Sequence, residues 1–518
     1  MYIIKFMKTK YISAKILFTL LFTILFFNTM YSQLVNDFRV NDDTSNTIQY
    51  RSKAGTDAFG NFAVVWLDFR NSTGNIYCQL YYANGQKRGN NFRLSSYSGN
   101  CNNPDISMRK DGSFAVCWSD TAVKYRLFNS NGIPISLENT IDNAVNFAGN
   151  PPKISCDSSG NFVVVYQKYF APLNNNIHFQ RIDSNGSKIG VSIRVNDDTL
   201  TTCRHLNPAV TMRRSGSFII CWQDERPPST LYGDDIYMQI YDKFGNKSGN
   251  NVRVNNNIAT LDYQFDPQIK SDDGDNFCVA FTETPDYTGE SYILFQLYNT
   301  AGTPIGNNIN ISSSGYNEFI RAISKRSNGD FVICYARDAG ARFVPYIQRV
   351  NANGTLKGGA FLVTSQYPNN EKGASDIILY NDRINTIWSD DRFGNPDVFC
   401  NLRSYIVPDS ITNITPIATE TPSGYSLFQN YPNPFNPRTK IKFSIANGFP
   451  VKTSGNDKVV LKVYDVMGRE LQTLVNERLQ TGTFEVIFNG DNQGSGIYFY
   501  TLTVNNILID TKKMIIVK

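Results

Sequence analysis

The chain has 518 residues, 50 Lys and Arg against 45 Asp and Glu, a formal net charge of +5 and 13% aromatic residues. Four of those charges, Lys5, Lys8, Lys10 and Lys15, lie in the first 32 residues, which hold no acidic residue, so only +1 remains for the rest. This excludes the basic stripe with which nucleic-acid binders displace counterions, and about 485 residues after position 32 predict at least two domains.

From the start of the chain, the lysine head is followed by "ILFTLLFTILFF" (Ile16 to Phe27) and the polar "NTMYSQ". A bilayer span needs roughly 20 apolar residues, so this shorter run reads as a secretory signal peptide over residues 1–32, cut near Ser32. No later run is long enough to cross a membrane, and the mature chain is expected to have no transmembrane segment.

Next comes a repeat. The phrases "DAFGNFAVVWLD", "RKDGSFAVCWSD", "DSSGNFVVVYQK", "RRSGSFIICWQD", "DDGDNFCVAFTE", "RSNGDFVICYAR" and "YNDRINTIWSDD" carry aromatic anchors at Trp66, Trp118, Tyr166, Trp222, Phe281, Tyr335 and Trp388. A spacing of about 50 to 60 residues suits a propeller blade. Alternation and turn residues divide each unit into four strands, with glycines 60, 112, 160, 216, 274 and 329 at the first hairpin, where φ > 0 is needed. The residue before each anchor is small and apolar (Val65, Cys117, Val165, Cys221, Cys334), so the cysteines there read as packing residues.

The last unit lacks a fourth strand, whereas "NDFRVNDD" (Asn36 to Asp43) at the start resembles only the end of a unit, as in "SIRVNDD" and "NVRVNNN". Pairing Asn36–Asp43 with Asp397–Tyr405 closes the ring and covers its open edge. Residues 33–405 are therefore expected to form a seven-bladed β-propeller, in an all-β chain.

Within the repeats, W-x-D-x-R recurs as Trp66-Asp68-Arg70, Trp222-Asp224-Arg226 and Trp388-Asp390-Arg392. Residues i, i+2 and i+4 share one strand face, so Asp68, Arg70, Asp224, Arg226, Asp390 and Arg392 are candidate ligand-binding residues. Their repetition favours instead a pair that ties one blade to the next, since a ligand site usually breaks symmetry. His178 reads as a strand residue and His205 as part of an inter-repeat loop, so no catalytic residue is assigned. "SCDSSGNFVVVY" and "SDDGDNF" resemble the Asp-box of sialidases with its glycine displaced. No C-x-x-C pair, zinc-spaced Cys/His cluster or EF-hand series occurs, and neither metal nor cofactor is expected.

Residues 406–424, rich in Pro, Thr and Ser and without strand pattern, read as a linker. Residues 425–518 then read as a compact antiparallel sandwich, in which Pro432, Pro434 and Pro437 cannot donate to a ladder and keep their segment extended but unpaired. The motifs "YPNPFNP", "VYDVMGRELQTL", "GSGIYFYTL" and "KKMIIVK" resemble, in order, the type A C-terminal sorting domain of type IX secretion cargo. The resemblance implies an immunoglobulin-like, FlgD-like β-sandwich with the sorting motif at Tyr431, Pro432, Asn433, Pro434, Phe435, Asn436, Pro437, Gly468, Gly496, Tyr498 and Lys513. It also implies the type IX machinery as partner, and a secreted or outer-membrane-surface location in a Gram-negative bacterium.

The sequence thus predicts a surface-displayed propeller that binds a glycan, a matrix component or another protein. The alternatives are a glycan-active hydrolase or lyase on the same scaffold and a purely structural surface protein.

Overall fold

The computed structural model describes residues 35–517 apart from 44–46, 97–99, 144–150, 172–173, 201–202, 227–232, 257–261, 286–288, 313–315, 327, 339–342, 363–373, 382, 405–414, 419–421, 423, 447–456, 480, 491–492 and 506. The expected signal peptide, much of the expected linker and the long insertion "NGFPVKTSGN" lie outside the described residues. The chain forms two compact units: 1–347 with 362–405, and 406–518 with 348–361, although strand pairing makes the latter segment part of the sixth sheet below.

The first unit holds seven four-stranded antiparallel sheets among the described residues. In the first sheet the strands run Gln49–Thr56, Phe62–Asp68, Asn75–Tyr81 and Lys87–Arg93, each hydrogen-bonded to the next. Five sheets of the same order follow over 102–142, 153–194, 205–253, 263–310 and 318–362. The seventh takes Ala374–Tyr380, Arg383–Asp390 and Asp397–Ser404 from one end of the repeat region and Val35–Arg39 from the other. Phe38 lies opposite Cys400 and Arg39 opposite Phe399, as the sequence predicts.

The second strands are buried on both faces and, apart from Arg383–Asp390 of the seventh sheet, mostly apolar, and the anchors Trp66, Trp118, Trp222 and Trp388 are fully buried. Burial on both faces requires a neighbouring sheet on each side. Val65 and Cys78 of the first sheet pack with Val116 and Trp118 of the second. On its other face, Val64 and Trp66 pack with Ile387, Val398 and Cys400 of the seventh. The sheets therefore stack in a propeller-like cycle whose last member meets its first.

The repeated "VN" and "ND" explain how. Val40 is buried, and its N–H donates to the Val398 carbonyl at 2.8 Å. Asn41 accepts from the Val398 N–H at 2.8 Å and donates to Asp397 at 2.8 Å. The Asp42 N–H then donates to Asn91 Oδ1 of the first sheet at 2.7 Å. At the junction of third and fourth sheets, Asn196 accepts from Ile177 N–H at 3.1 Å and the Asp197 N–H donates to Asn251 at 2.8 Å. The closing junction is thus built like an internal one.

One turn departs from expectation. Gly60, Gly112, Gly160, Gly216 and Gly329 have positive φ, but in the fifth sheet the left-handed residue is Asp275 (φ 66), one position after Gly274. Aspartate tolerates that conformation because its short carboxylate bonds locally.

In the second unit two four-stranded sheets enclose one core that includes Phe443, Val459, Leu461 and Tyr500. Thr415–Ala418, inside the expected linker, is a strand paired with Gly482–Asn489, so this unit begins earlier than position 425.

Replacing Asn41 with alanine orphans the buried Val398 N–H and removes one of the two side-chain donors to Asp397, leaving Arg39. The expected loss is about 2 kcal/mol, read as a lower urea midpoint at unchanged m-value.

Candidate functional site

The three W-x-D-x-R trios sit at the ends of second strands in the first, fourth and seventh sheets. Each is internally complete. The Asp68 carboxylate is fully buried and accepts from the Trp66 indole at 2.8 Å and from Arg70 N and Nη2 at 2.9 and 2.8 Å. Asp224 repeats this with Trp222 at 2.7 Å and Arg226 Nη2 at 2.7 Å, and Asp390 with Trp388 at 3.3 Å and Arg392 N at 2.8 Å. The guanidinium of each arginine lies 4.3 Å from an aromatic centroid, of Tyr77, Tyr237 and Phe399 respectively. Arg70 also bonds Asp42 at 2.8 Å and Arg226 bonds Asp197 at 2.7 Å, in both cases reaching the preceding sheet. Burial works against these guanidinium charges, but their carboxylate partners outweigh it and raise both arginines above the ordinary value. The geometry joins sheets, and none of the trio residues lines the central cavity.

The histidines are packing residues. His178 lies in the strand Asn174–Ile182, and burial, then Lys168, holds its imidazole down to about 4. His205 is not in a loop. It opens the strand His205–Met212, where it is fully buried, with Nδ1 2.6 Å from the Asn175 carbonyl and Nε2 2.8 Å from Asp198. It stands opposite Asp224 as Gln49 stands opposite Asp68, so it takes the place of a buried amide.

A cavity of about 620 Å³ is lined by the first strands of all seven sheets and extends to the first-hairpin turns, the end of the sheets away from the trios. Its wall is symmetric in backbone. Lys53 lies opposite Val65, Asp105 opposite Cys117, Lys153 opposite Val165, and Ala209 opposite Cys221. Gln268, Ala322 and Asp376 face Ala280, Cys334 and Ile387 in the same way. The register breaks just before this position in six of the sheets, and Arg51, Asn103, Asn207 and Asp266 there have φ between 49 and 58. Such bulges re-aim the following side chain.

The chemistry is not symmetric. Asp376, Lys53, Asp105 and Lys153 alternate in sign over four successive sheets, and Ala209, Gln268 and Ala322 complete the circle uncharged. Asp105 accepts from the Ile154 N–H at 2.8 Å and Asp376 from the Ala54 N–H at 2.9 Å, so each links its sheet to the next. Burial pushes the Asp105 carboxyl up against the pull of Lys153 and Lys53. It also pushes the Lys153 ammonium down, reinforced by Lys53 and opposed by Asp105 and Asp376. Sequence reasoning missed these positions. The available signal was the residue facing each anchor's predecessor across the first hairpin, a column that varies while its neighbours repeat.

In the second unit, the prolines do not leave their segment unpaired. Tyr431 and Lys440 exchange backbone bonds at 2.9 and 3.0 Å, and Phe435 donates to the Ile515 carbonyl at 3.0 Å and accepts from Val517 N–H at 3.0 Å. The non-proline residues supply the N–H groups that Pro432, Pro434 and Pro437 lack. Asn433 Oδ1 accepts from Ile515 N–H at 2.9 Å, and Phe435 is buried while Tyr431, Pro434 and Asn436 are exposed. Gly468 (φ 76) closes the turn after Asp465, Gly496 pairs with Ile516, the Tyr498 hydroxyl donates to the Gly494 carbonyl at 2.9 Å, and Lys513 pairs with Phe499.

Residues 429–518 match the family described as the secretion system C-terminal sorting domain, which supports the chain as type IX secretion cargo, destined for the cell surface or the medium. No curated protein matches the chain. Among solved structures, it is similar to a protein of unknown function from Dyadobacter fermentans (9% identity, 71% of this chain and 98% of that one, TM-score 0.46). It is also similar to the polysaccharide lyase Uly1 (8%, 67% and 88%, 0.46) and to an α-L-arabinanase of Penicillium chrysogenum complexed with arabinobiose (10%, 72% and 99%, 0.40). At such scores none of them bears on what this chain does.

Replacing Asp68 with alanine strands the buried Trp66 indole and leaves Arg70 with Asp42 as its carboxylate partner. The expected cost is about 2 kcal/mol, measured by equilibrium unfolding.

Proposed function

We propose that the chain is a seven-bladed β-propeller with an immunoglobulin-like sorting domain, exported through the type IX machinery, and that it binds a ligand in the central cavity. The observation that carries this reading is the broken symmetry of the cavity wall. Positions that only hold sheets together repeat, as Asp68, Asp224 and Asp390 do with Arg70, Arg226 and Arg392. The wall column from Lys53 to Asp376 does not, and selection for a ligand is a physical reason for seven equivalent backbones to carry unlike side chains. The six trio residues are therefore assigned to sheet–sheet joining. A cavity of about 620 Å³ suits a small molecule or a short oligosaccharide of up to about three sugar units.

One observation favours a second reading, a glycan-active hydrolase or lyase: Asp105 and Asp376 are carboxylates that the other sheets do not repeat at this wall position, and of the two Asp105 has the burial-raised carboxyl that a general acid requires. Release of reducing ends or unsaturated products from glycans bound by the chain supports this enzyme reading over binding alone.

The ligand site is tested with the whole chain on glycan and matrix-protein arrays beside the variant Ala322→Trp, which fills the cavity. Signals at least ten-fold weaker in the variant are expected; unchanged signals place the site elsewhere. For export, deletion of residues 425–518 is expected to leave the protein in the periplasm, and its normal appearance outside the cell refutes the tail's role.

A further inference from the structure

The cavity's acidic and basic groups differ in how they are held. Asp105 and Asp376 each already accept a backbone N–H of the next sheet. At the rim, Asp157 accepts from Ser159 N, Asn161 N and Asn161 Nδ2 at 2.8 to 2.9 Å, and Asp272 is occupied in the same way by Gly274 and Asn276. Asp273 is held by Arg214 and Lys325. These carboxylates are structural acceptors, turned into their own turns or onto neighbouring chains.

Two of the cations are not spent in this way. Lys153 on the third sheet and Lys270 on the fifth both line the cavity, and neither forms an ion pair among the described residues. Between them the fourth sheet presents Ala209, whose methyl group leaves open the space that a longer side chain fills on other sheets. Lys270 is exposed to this space, two residues after Gln268 on the same strand face, and its charge reaches the Cys156 thiol of the third sheet. Ser155 and Thr211 complete the surround. Their hydroxyls are fixed by accepting from Met212 N–H at 2.9 Å and Ser271 N–H at 3.1 Å, so the Ser155 hydroxyl proton is free to point at a ligand acceptor. Two cations flanking an uncharged gap, with the nearby carboxylates otherwise engaged, form a seat for negative charge.

We propose that the cavity binds a carboxylate-bearing ligand, its anionic group seated over Ala209 between Lys153 and Lys270. This rests on the cavity being the binding site, and deepens that reading by naming the ligand's chemistry. The carboxylate belongs either to an acidic sugar or to a small organic acid, and one experiment separates the two.

Binding to the whole chain is measured by titration calorimetry with trigalacturonate, its uncharged methyl ester and succinate, at low and high salt. Trigalacturonate is expected to bind at least ten-fold more tightly than the ester, with affinity falling as salt rises. Lys270→Ala and Lys153→Met are each expected to weaken it at least ten-fold, and Lys270→Glu to abolish it. Lys270 is exposed, so its variants keep the fold, which thermal melts confirm. Succinate binding with the same lysine dependence assigns the seat to small organic acids; trigalacturonate alone assigns it to an acidic sugar. Equal binding of acid and ester, blocked by Ala322→Trp, overturns the anionic seat and leaves the cavity site standing. Binding unaffected by Ala322→Trp, or no binding by any probe, overturns both.

Discussion

A stack of twisted sheets, each buried on both faces, leaves two raw ends unless the last sheet meets the first. In this chain the meeting depends on the short ladder between Val35–Arg39 and Asp397–Ser404. Without that strand the seventh sheet exposes the N–H and C=O groups of Asp397–Ser404 as an open edge, and Asp42 has no route to Asn91 on the first sheet. The two chain segments are some 360 residues apart, so closure costs loop entropy that grows only slowly with length. It is offset by burial of residues such as Val40, Val64 and Val398, each worth about 2 kcal/mol. The junction also reuses bonds found between the third and fourth sheets. Whatever angle suits one pair of sheets then suits the closing pair.

Closure brings seven first strands together and so creates the cavity. The same bulge, recurring just before the wall position, turns one side chain per sheet towards the axis. The backbone that stabilises the ring therefore also presents its most variable column. Buried polar contacts and cavity lining are divided along the first strands. Gln49 and His205, at the end near the trios, are buried and stand opposite Asp68 and Asp224, while Lys53 and Lys153, at the wall position, line the cavity.

The tail unit shows a similar division on a smaller scale. In "YPNPFNP" the prolines alternate with residues whose N–H groups or side chains clamp the terminal strand. Phe435 is sunk in the core and Tyr431 is left in solvent. A motif legible as a signature is thus half structural, and only its exposed half is available to a partner.

The architecture was legible in the sequence because it is written in local terms: anchor spacing, turn glycines, and a final strand displaced to the start of the chain. The trios were legible as chemistry but ambiguous in use, since residues i, i+2 and i+4 on a strand look alike whether they face a ligand or a neighbouring sheet. Burial and the bonds of Arg70 to Asp42 and Arg226 to Asp197 support the reading as ties to a neighbouring sheet. His205 was misplaced because a polar residue after "TTC" carries no local mark of a strand; its partners, Asn175 and Asp198, come from the preceding sheet. The strand Thr415–Ala418 escaped for the same reason, its only partner lying at Gly482–Asn489. The cavity wall could not be read from residue order alone. Neighbours along Asp376, Lys53, Asp105 and Lys153 are separated by 48 to 323 positions, and ring closure is what brings Asp376 beside Lys53. Local pattern determines which strands form and how they repeat, whereas the meeting of distant side chains belongs to the closed ring.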